Sequence, residues 1–231
     1  MNDKRVLFVI TSHDTLGDTG NPTGYHLAEV AQPYYVLAEA GFIIEFASPK
    51  GGQVPMDPGS RDADDPVNKR FLEDEIVNNK LGGTLSADQI DPSRYAGIYF
   101  PGGHGTMWDL PENPSLAEVT RTVDAQGGVV AAVCHGPAAL LNVKTEDGRW
   151  LVDGKRVSVF TDEEERAVEL DQVVPFLLAS AMVERGAIHE AGDNWQEQVS
   201  VDDRLVTGQN PASARAVGEK IRDLVEARLA A

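Results

Sequence analysis

The sequence predicts one α/β domain, a three-layer sandwich around a mostly parallel central sheet. Three observations predict it. Short apolar, β-rich runs alternate with stretches of helical periodicity, the pattern of βαβ crossovers. Several of those runs carry no polar alternation, as expected of strands covered on both faces. The length, 231 residues, suits a single core that needs no disulfide staples.

In chain order, Arg5–Ile10 (RVLFVI) reads as the first buried strand and Tyr25–Ala40 as the helix that follows it. Pro33 has no N–H for the carbonyl of Glu29 four residues back, so the helix is expected to kink or to restart there. Phe42–Ser48 is the second strand. Residues 50–95 break the rhythm with Gly51-Gly52, Pro55, Pro58, Pro66 and Gly82-Gly83, leaving one short helical pattern near Asn68–Asn79. A stretch of that length between core elements reads as an insertion or lid on the single domain. Gly97–Phe100 and Gly128–Val133 are further strands, each followed by a glycine-containing turn and a helical pattern, Ser115–Gln126 and Cys134–Asn142. Arg156–Phe160 reads as another strand, Glu163–Arg185 as a helix, Arg204–Thr207 as a last strand and Pro211–Ala230 as a closing helix.

Composition excludes several classes. Hydrophobic residues make up 42% and charged residues 25%, an ordinary globular mix. No apolar run approaches the roughly 20 residues of a membrane span. The opening MNDKRVLFVITSHD turns polar too soon for a signal peptide. Lys and Arg number 20 against 37 Asp and Glu, a net charge of −17. That surface repels nucleic-acid phosphates and anionic membranes, so neither is expected as a partner. A single cysteine, Cys134, excludes an internal disulfide and suits a reducing cytoplasm.

Four places can carry chemistry. Gly128–Pro137 (GVVAAVCHGP) runs a buried strand into Cys134, His135 and Gly136, the layout of a nucleophile elbow. A helix N-terminus there would depress the thiol pKa; the plainer reading is a buried small hydrophobe. Tyr99–Gly105 (YFPGGHG) is a second strand end with a glycine turn, able to aim N–H groups at an anion. Gly102, Gly103 and His104 are its candidate binding residues. The N–H groups of Gly103 and His135 form a candidate oxyanion hole, against the alternative of an ordinary β-turn. Glu29 lies among apolar neighbours beside Pro33, either as an inward carboxyl of raised pKa or as a solvated surface acid. Thr161 with Glu164 spells a capping box, and Glu165 beyond it either orients His135 or only begins a helix. His13, His26 and His189 share no ligand spacing, so surface or loop roles and no metal site are expected of them. Trp108, Trp150 and Trp195 read as packing residues.

Taken in order, RVLFVITSHD, TGYHLAEVAQPYYVL, FASPKGG with PMDP, YFPGGHGTMWDL, AAVCHGPAALL, FTDEEE and LVTGQNPASA resemble the ThiJ/PfpI superfamily. The superfamily has the flavodoxin-like, class I glutamine amidotransferase-like fold. The resemblance spans nearly the whole chain and is strongest to the branch of heat-shock chaperones with glutathione-independent glyoxalase III activity, which carries a similar insertion after the second strand. It implies Cys134 as nucleophile, His135 beside it and Glu29 as the neighbouring carboxyl; Glu165 matches the position that completes a Cys–His–Glu triad. The implied activity is that of a cofactor-free lyase turning methylglyoxal-type 2-oxoaldehydes into 2-hydroxy acids such as D-lactate. A redox-sensing or chaperone stress protein, and a deglycase or amide hydrolase using the same cysteine, are the alternatives. The superfamily commonly forms homodimers, and a homodimer is expected here.

Overall fold

Residues 4–230 are described by a computed structural model, and their centre is a seven-stranded sheet. Five strands arrive in chain order: β1 (Arg5–Val9), β2 (Ile43–Ser48), β3 (Leu85–Ser86), β4 (Gly97–Phe100) and β5 (Val129–Val133). A separate parallel pair, β6 (Arg156–Val157) with β7 (Ile188–His189), precedes β8 (Val199–Asp202) and β9 (Leu205–Gly208). The main sheet has the order β3-β2-β1-β4-β5-β9-β8, with every pairing parallel except β8 with β9.

The period-two alternation of each strand sorts its side chains between two cores. Leu7, Val9, Ile98, Phe100, Val130 and Ala132 enter one; Val6, Phe8, Tyr99, Val129, Ala131 and Val133 enter the other. Among the described residues eight helices complete the layers: α1 (Leu27–Glu39), α2 (Pro66–Glu73), α3 (Glu75–Gly82), α4 (Thr106–Asp109), α5 (Pro114–Ala125), α6 (Asp162–Ala167), α7 (Leu178–Glu184) and α8 (Ala214–Ala230). Helices α1 and α8 cover one face with Leu27, Val30, Val217, Ile221 and Val225. Helices α5 and α7 cover the other with Leu116, Val119, Val123 and Met182. No helix among the described residues is long and apolar enough to cross a membrane.

The 50–95 segment gives β3 to the edge of the sheet, and its α2 and α3 bury Phe71, Val77 and Leu81 in the core under α1. Helix α1 is continuous through Pro33. The Glu29 carbonyl that Pro33 cannot serve accepts instead from the Tyr99 hydroxyl, at 2.8 Å.

Two expectations are corrected. Only Arg156–Val157 of the run Arg156–Phe160 forms a strand, and it lies outside the main sheet. Beyond it, Ser158 N donates to Thr207 Oγ1 and Phe160 N to the Cys134 carbonyl, so the backbone braces the ends of neighbouring strands. The span Glu163–Arg185 is two short helices. Glu169 takes a left-handed φ of 59°, and Pro175 bars helical continuation before α7.

Candidate active site

Ligand crevices in open parallel sheets lie beyond the carboxyl ends of the strands, where the order reverses. Here β1 is flanked by β2 on one side and β4 on the other, and the candidate residues gather past the ends of β4 and β5.

The turn after β5 places Cys134 at φ 59°, the left-handed region. For a residue with a Cβ this costs about 1–3 kcal/mol and persists only when the surroundings impose it. They do: Cys134 N donates to the Gly208 carbonyl at 2.9 Å, and its own carbonyl accepts from Phe160 N at 3.0 Å. Gly136 is dictated by contact, since a Cβ there would lie 2.0 Å from the Phe100 carbonyl oxygen. Gly103, at φ +101°, is pressed under the chain before α1; its Cβ would lie 2.2 Å from the Gly24 oxygen.

These constraints set a chain of contacts. Cys134 Sγ lies 3.2 Å from His135 Nδ1, and His135 Nε2 lies 2.6 Å from Glu165 Oε2. Glu165 reaches the imidazole because the Thr161–Glu164 capping box, with both reciprocal bonds formed, starts α6 at a fixed angle. Its second oxygen, Oε1, lies 2.8 Å from His104 Nε2, so two imidazoles share one carboxylate. Their rings are 4.1 Å apart, and Phe160 packs on His135 at 4.3 Å. Glu29 is wholly buried, and its Oε2 accepts from Gly102 N at 2.6 Å.

The electrostatics come from burial. Desolvation pushes Glu29 up to about 8, against the hydrogen bonds from Gly102 and Cys134. It also pushes the Cys134 thiol well up, with the Glu29 carboxyl adding to the effect and the His135 N–H opposing it. The expected depression of the thiol is therefore overturned. The segment after His135 is a five-residue 3-10 turn, Gly136–Leu140, whose peptide dipoles do not offset the burial. Burial and the neighbouring His104 lower His135 to about 4 despite Glu165. Burial works to raise Glu165, yet the hydrogen bonds from His104 and His135 outweigh it and hold the carboxyl at about 2. At neutral pH the resting state is thus a thiol, a neutral imidazole with Nδ1 toward sulfur, an ionised Glu165 and a protonated Glu29.

The candidate oxyanion donors divide. The Gly102 N–H is committed to Glu29 and is removed from the set. Neither the Gly103 nor the His135 N–H donates to a backbone carbonyl among the described residues, and the His135 N–H is directed at the Cys134 sulfur. His104, placed by sequence among the substrate-binding residues, is bonded through Nε2 to Glu165. The ligand atoms of His104, His135 and Glu165 lie within 4.8 Å of one another, a donor set that could hold a divalent ion, though hydrogen bonds already join all three.

Cys134 is 3% exposed. A cleft of about 600 Å³ between α6, α7 and Gly192 is lined by Thr161 and Asp162 but not by Cys134. Two readings of side chains are corrected. His189, read as a surface or loop residue, lies instead in β7 with Nε2 buried; His26, read the same way, does stand in the loop just before α1, partly exposed but with Nδ1 buried, 3.9 Å from Glu29 Oε1. Its signal in the sequence was its spacing three residues before Glu29, which puts both on one helix face. Trp195, read as packing, is 45% exposed at φ 63°, its ring edge-on to Phe160.

A family model described as the DJ-1/PfpI family matches residues 22–224. The chain is 31% identical to a Saccharomyces cerevisiae protein named glutathione-independent glyoxalase HSP31, over 98% of this chain and 100% of that one. The crystal structure of glyoxalase III from Candida albicans is similar at a TM-score of 0.88 and 31% identity, covering 95% of this chain and 96% of the other. The X-ray structure of the Rapid Encystment Protein of 24 kDa from Francisella tularensis is similar at 0.92 and 38% identity, covering 96% and 98%.

Proposed function

The chain belongs to the DJ-1/PfpI family, and from that premise we propose that it is a glutathione-independent glyoxalase, converting 2-oxoaldehydes such as methylglyoxal into 2-hydroxy acids. The carrying observation is the line from Sγ through His135 to Glu165, at 3.2 and 2.6 Å, with the buried Glu29 beside it. Relatives named glutathione-independent glyoxalases support the same reading over nearly the full chain.

In this reaction His135 Nδ1 takes the thiol proton as Sγ bonds to the aldehyde carbon C1, and returns it to the C1 oxygen, which lies against the Gly103 and His135 N–H groups. The product is a hemithioacetal. Neutral His135 then removes the C1 proton; the electron pair forms C1=C2, and the C2 oxygen takes the Glu29 proton. His135 delivers its proton to C2 while Glu29 regains one from the C1 hydroxyl, leaving a thioester of the 2-hydroxy acid. Water hydrolyses it and frees the thiol. Glu165 keeps the Nε2 proton in place so that Nδ1 stays the base, the logic of a serine triad with the ring nitrogens exchanged. A cysteine only 3% exposed favours small aldehydes over peptide amides, which need an open cleft.

Purified protein given methylglyoxal without glutathione will form D-lactate, and Cys134→Ala will reduce the rate to that of buffer. Lactate formation that survives the substitution would remove Cys134 from the mechanism; none from the unmodified protein would remove the reaction. The 50–95 segment as a lid, a cytoplasmic setting and a homodimer belong to the same proposal. Proteolytic protection of that segment on adding substrate, cell fractionation and sedimentation test them in turn.

A further inference from the structure

Two buried polar atoms at this site have no hydrogen-bond partner, His26 Nδ1 and Glu29 Oε1. They lie 3.9 Å apart, beyond hydrogen-bond reach and too close for a water in line between them. Each unpaired atom is costly to bury, so a fold that sets two together needs a reason. The backbone fixes their spacing. Glu29 N donates to the His26 carbonyl at 3.1 Å, His26 N donates to the Gly102 carbonyl at 3.1 Å, and Gly102 N holds the other Glu29 oxygen at 2.6 Å. Only the His26 ring is left free to adjust, and it is 29% exposed.

We propose that His26 is a positioning residue that receives the Glu29 carboxylate each time Glu29 gives up its proton. The inference rests on the reading that Glu29 acts as an acid beside Cys134. When the Glu29 O–H proton passes to the substrate's C2 oxygen, the O–H electron pair stays on the carboxylate. Oε2 keeps the Gly102 N–H, and Oε1 is left bare in a dry site. A small turn of the ring brings Nδ1–H onto Oε1, and the His26 proton remains on nitrogen throughout. The charged or titratable groups around His26 are Glu29 on its own helix, Asp57 from the 50–95 segment, His104 after β4 and His135 at the elbow. Burial outweighs Asp57 and holds His26 at about 4, so it donates as a neutral ring near pH 7.

The test compares His26→Leu with His26→Asn, whose side-chain amide can occupy the Nδ1 position. The first readout is the pH profile of Cys134 alkylation by iodoacetamide, measured by mass, which needs no turnover. His26→Leu will move the Glu29-linked inflection to higher pH by about one to two units, the size of a lost hydrogen bond to a charge. His26→Asn will retain the original profile. With methylglyoxal, His26→Leu will lower kcat about tenfold or more with KM little changed. In a Glu29→Gln background the Leu substitution will have no further effect on either readout. An unchanged inflection in His26→Leu, or an equal loss of rate with and without Glu29, overturns the proposal. Should His26→Leu fail to fold, the ¹⁵N shift of His26 Nδ1 in the unmodified protein decides it: movement with the Glu29 titration supports the contact, and a flat trace overturns it. If no lactate forms at all, the glyoxalase reading falls, while the alkylation profile still decides the role of His26.

Discussion

Glu29 is a wholly buried carboxyl whose proton the fold holds. Its ordinary value of 4.5 rises to about 8 through burial, so the folded protein binds this proton more tightly than the unfolded chain does. The stabilisation this confers is complete below about pH 4.5 and is lost as the pH rises through about 8, at up to about 1.4 kcal/mol per unit. Glu29→Gln keeps a carbonyl oxygen for the Gly102 N–H and cannot ionise. Its stability advantage over the parent will therefore grow between pH 5 and 8 and then level off, as read from urea melts across that range. Parallel curves for the two proteins would contradict the buried, protonated carboxyl. Legibility in the sequence differed from residue to residue. Cys134 and His135 stood out because a nucleophile and a base came after a β-rich run and before a glycine. His26 did not, because its meaning depends on Gly102 folding back over it from 76 positions away. The sharing of Glu165 by His104 was equally hidden, since nothing in PGGHG states which way the imidazole turns.

At the level of elements, α1 shows how a local defect is repaired by a distant residue. Pro33 leaves the Glu29 carbonyl without its helical donor, and the Tyr99 hydroxyl from β4 supplies one at 2.8 Å. Tyr99→Phe will cost about 1–3 kcal/mol, the penalty of an unsatisfied buried acceptor. Pro33→Ala restores an N–H at the right place and will recover part of that loss in the double variant, giving a non-additive thermodynamic cycle. Additive costs would show that the two groups do not serve the same carbonyl. Strands covered on both faces announced themselves by unbroken apolar runs, and β1, β2, β4 and β5 lie within a residue of their sequence bounds. The run after Gly154 misled because its apolar residues are buried while its backbone serves as a brace for β5 and β9. Strand β8 was missed although Val-Ser-Val-Asp alternates; its hairpin to β9 turns at Asp203 with φ 56°, without the glycine that usually marks such a turn.

For the whole molecule, the charge of −17 sets how copies meet. Two such surfaces repel, and the repulsion fades as the Debye length shortens from about 30 Å at 0.01 M salt to about 8 Å at 0.15 M. The proposed homodimer will accordingly tighten with salt over that interval in sedimentation velocity; a dimer that loosens would place opposite charges across its contact. The geometry of assembly is narrowed further by the two rims of the sheet. On one side β3 offers only two residues. On the other, β8 is already engaged: Lys155 and the Arg156 N–H hold Asp202, and the Arg156 guanidinium caps the Val201 carbonyl. Among the described residues neither border of the main sheet leaves a long row of free amides onto which another folded copy could add a strand. A neighbouring copy that met the folded protein at either rim would therefore find no long ladder to extend, which leaves helices and loops as the surfaces on which the proposed dimer would form.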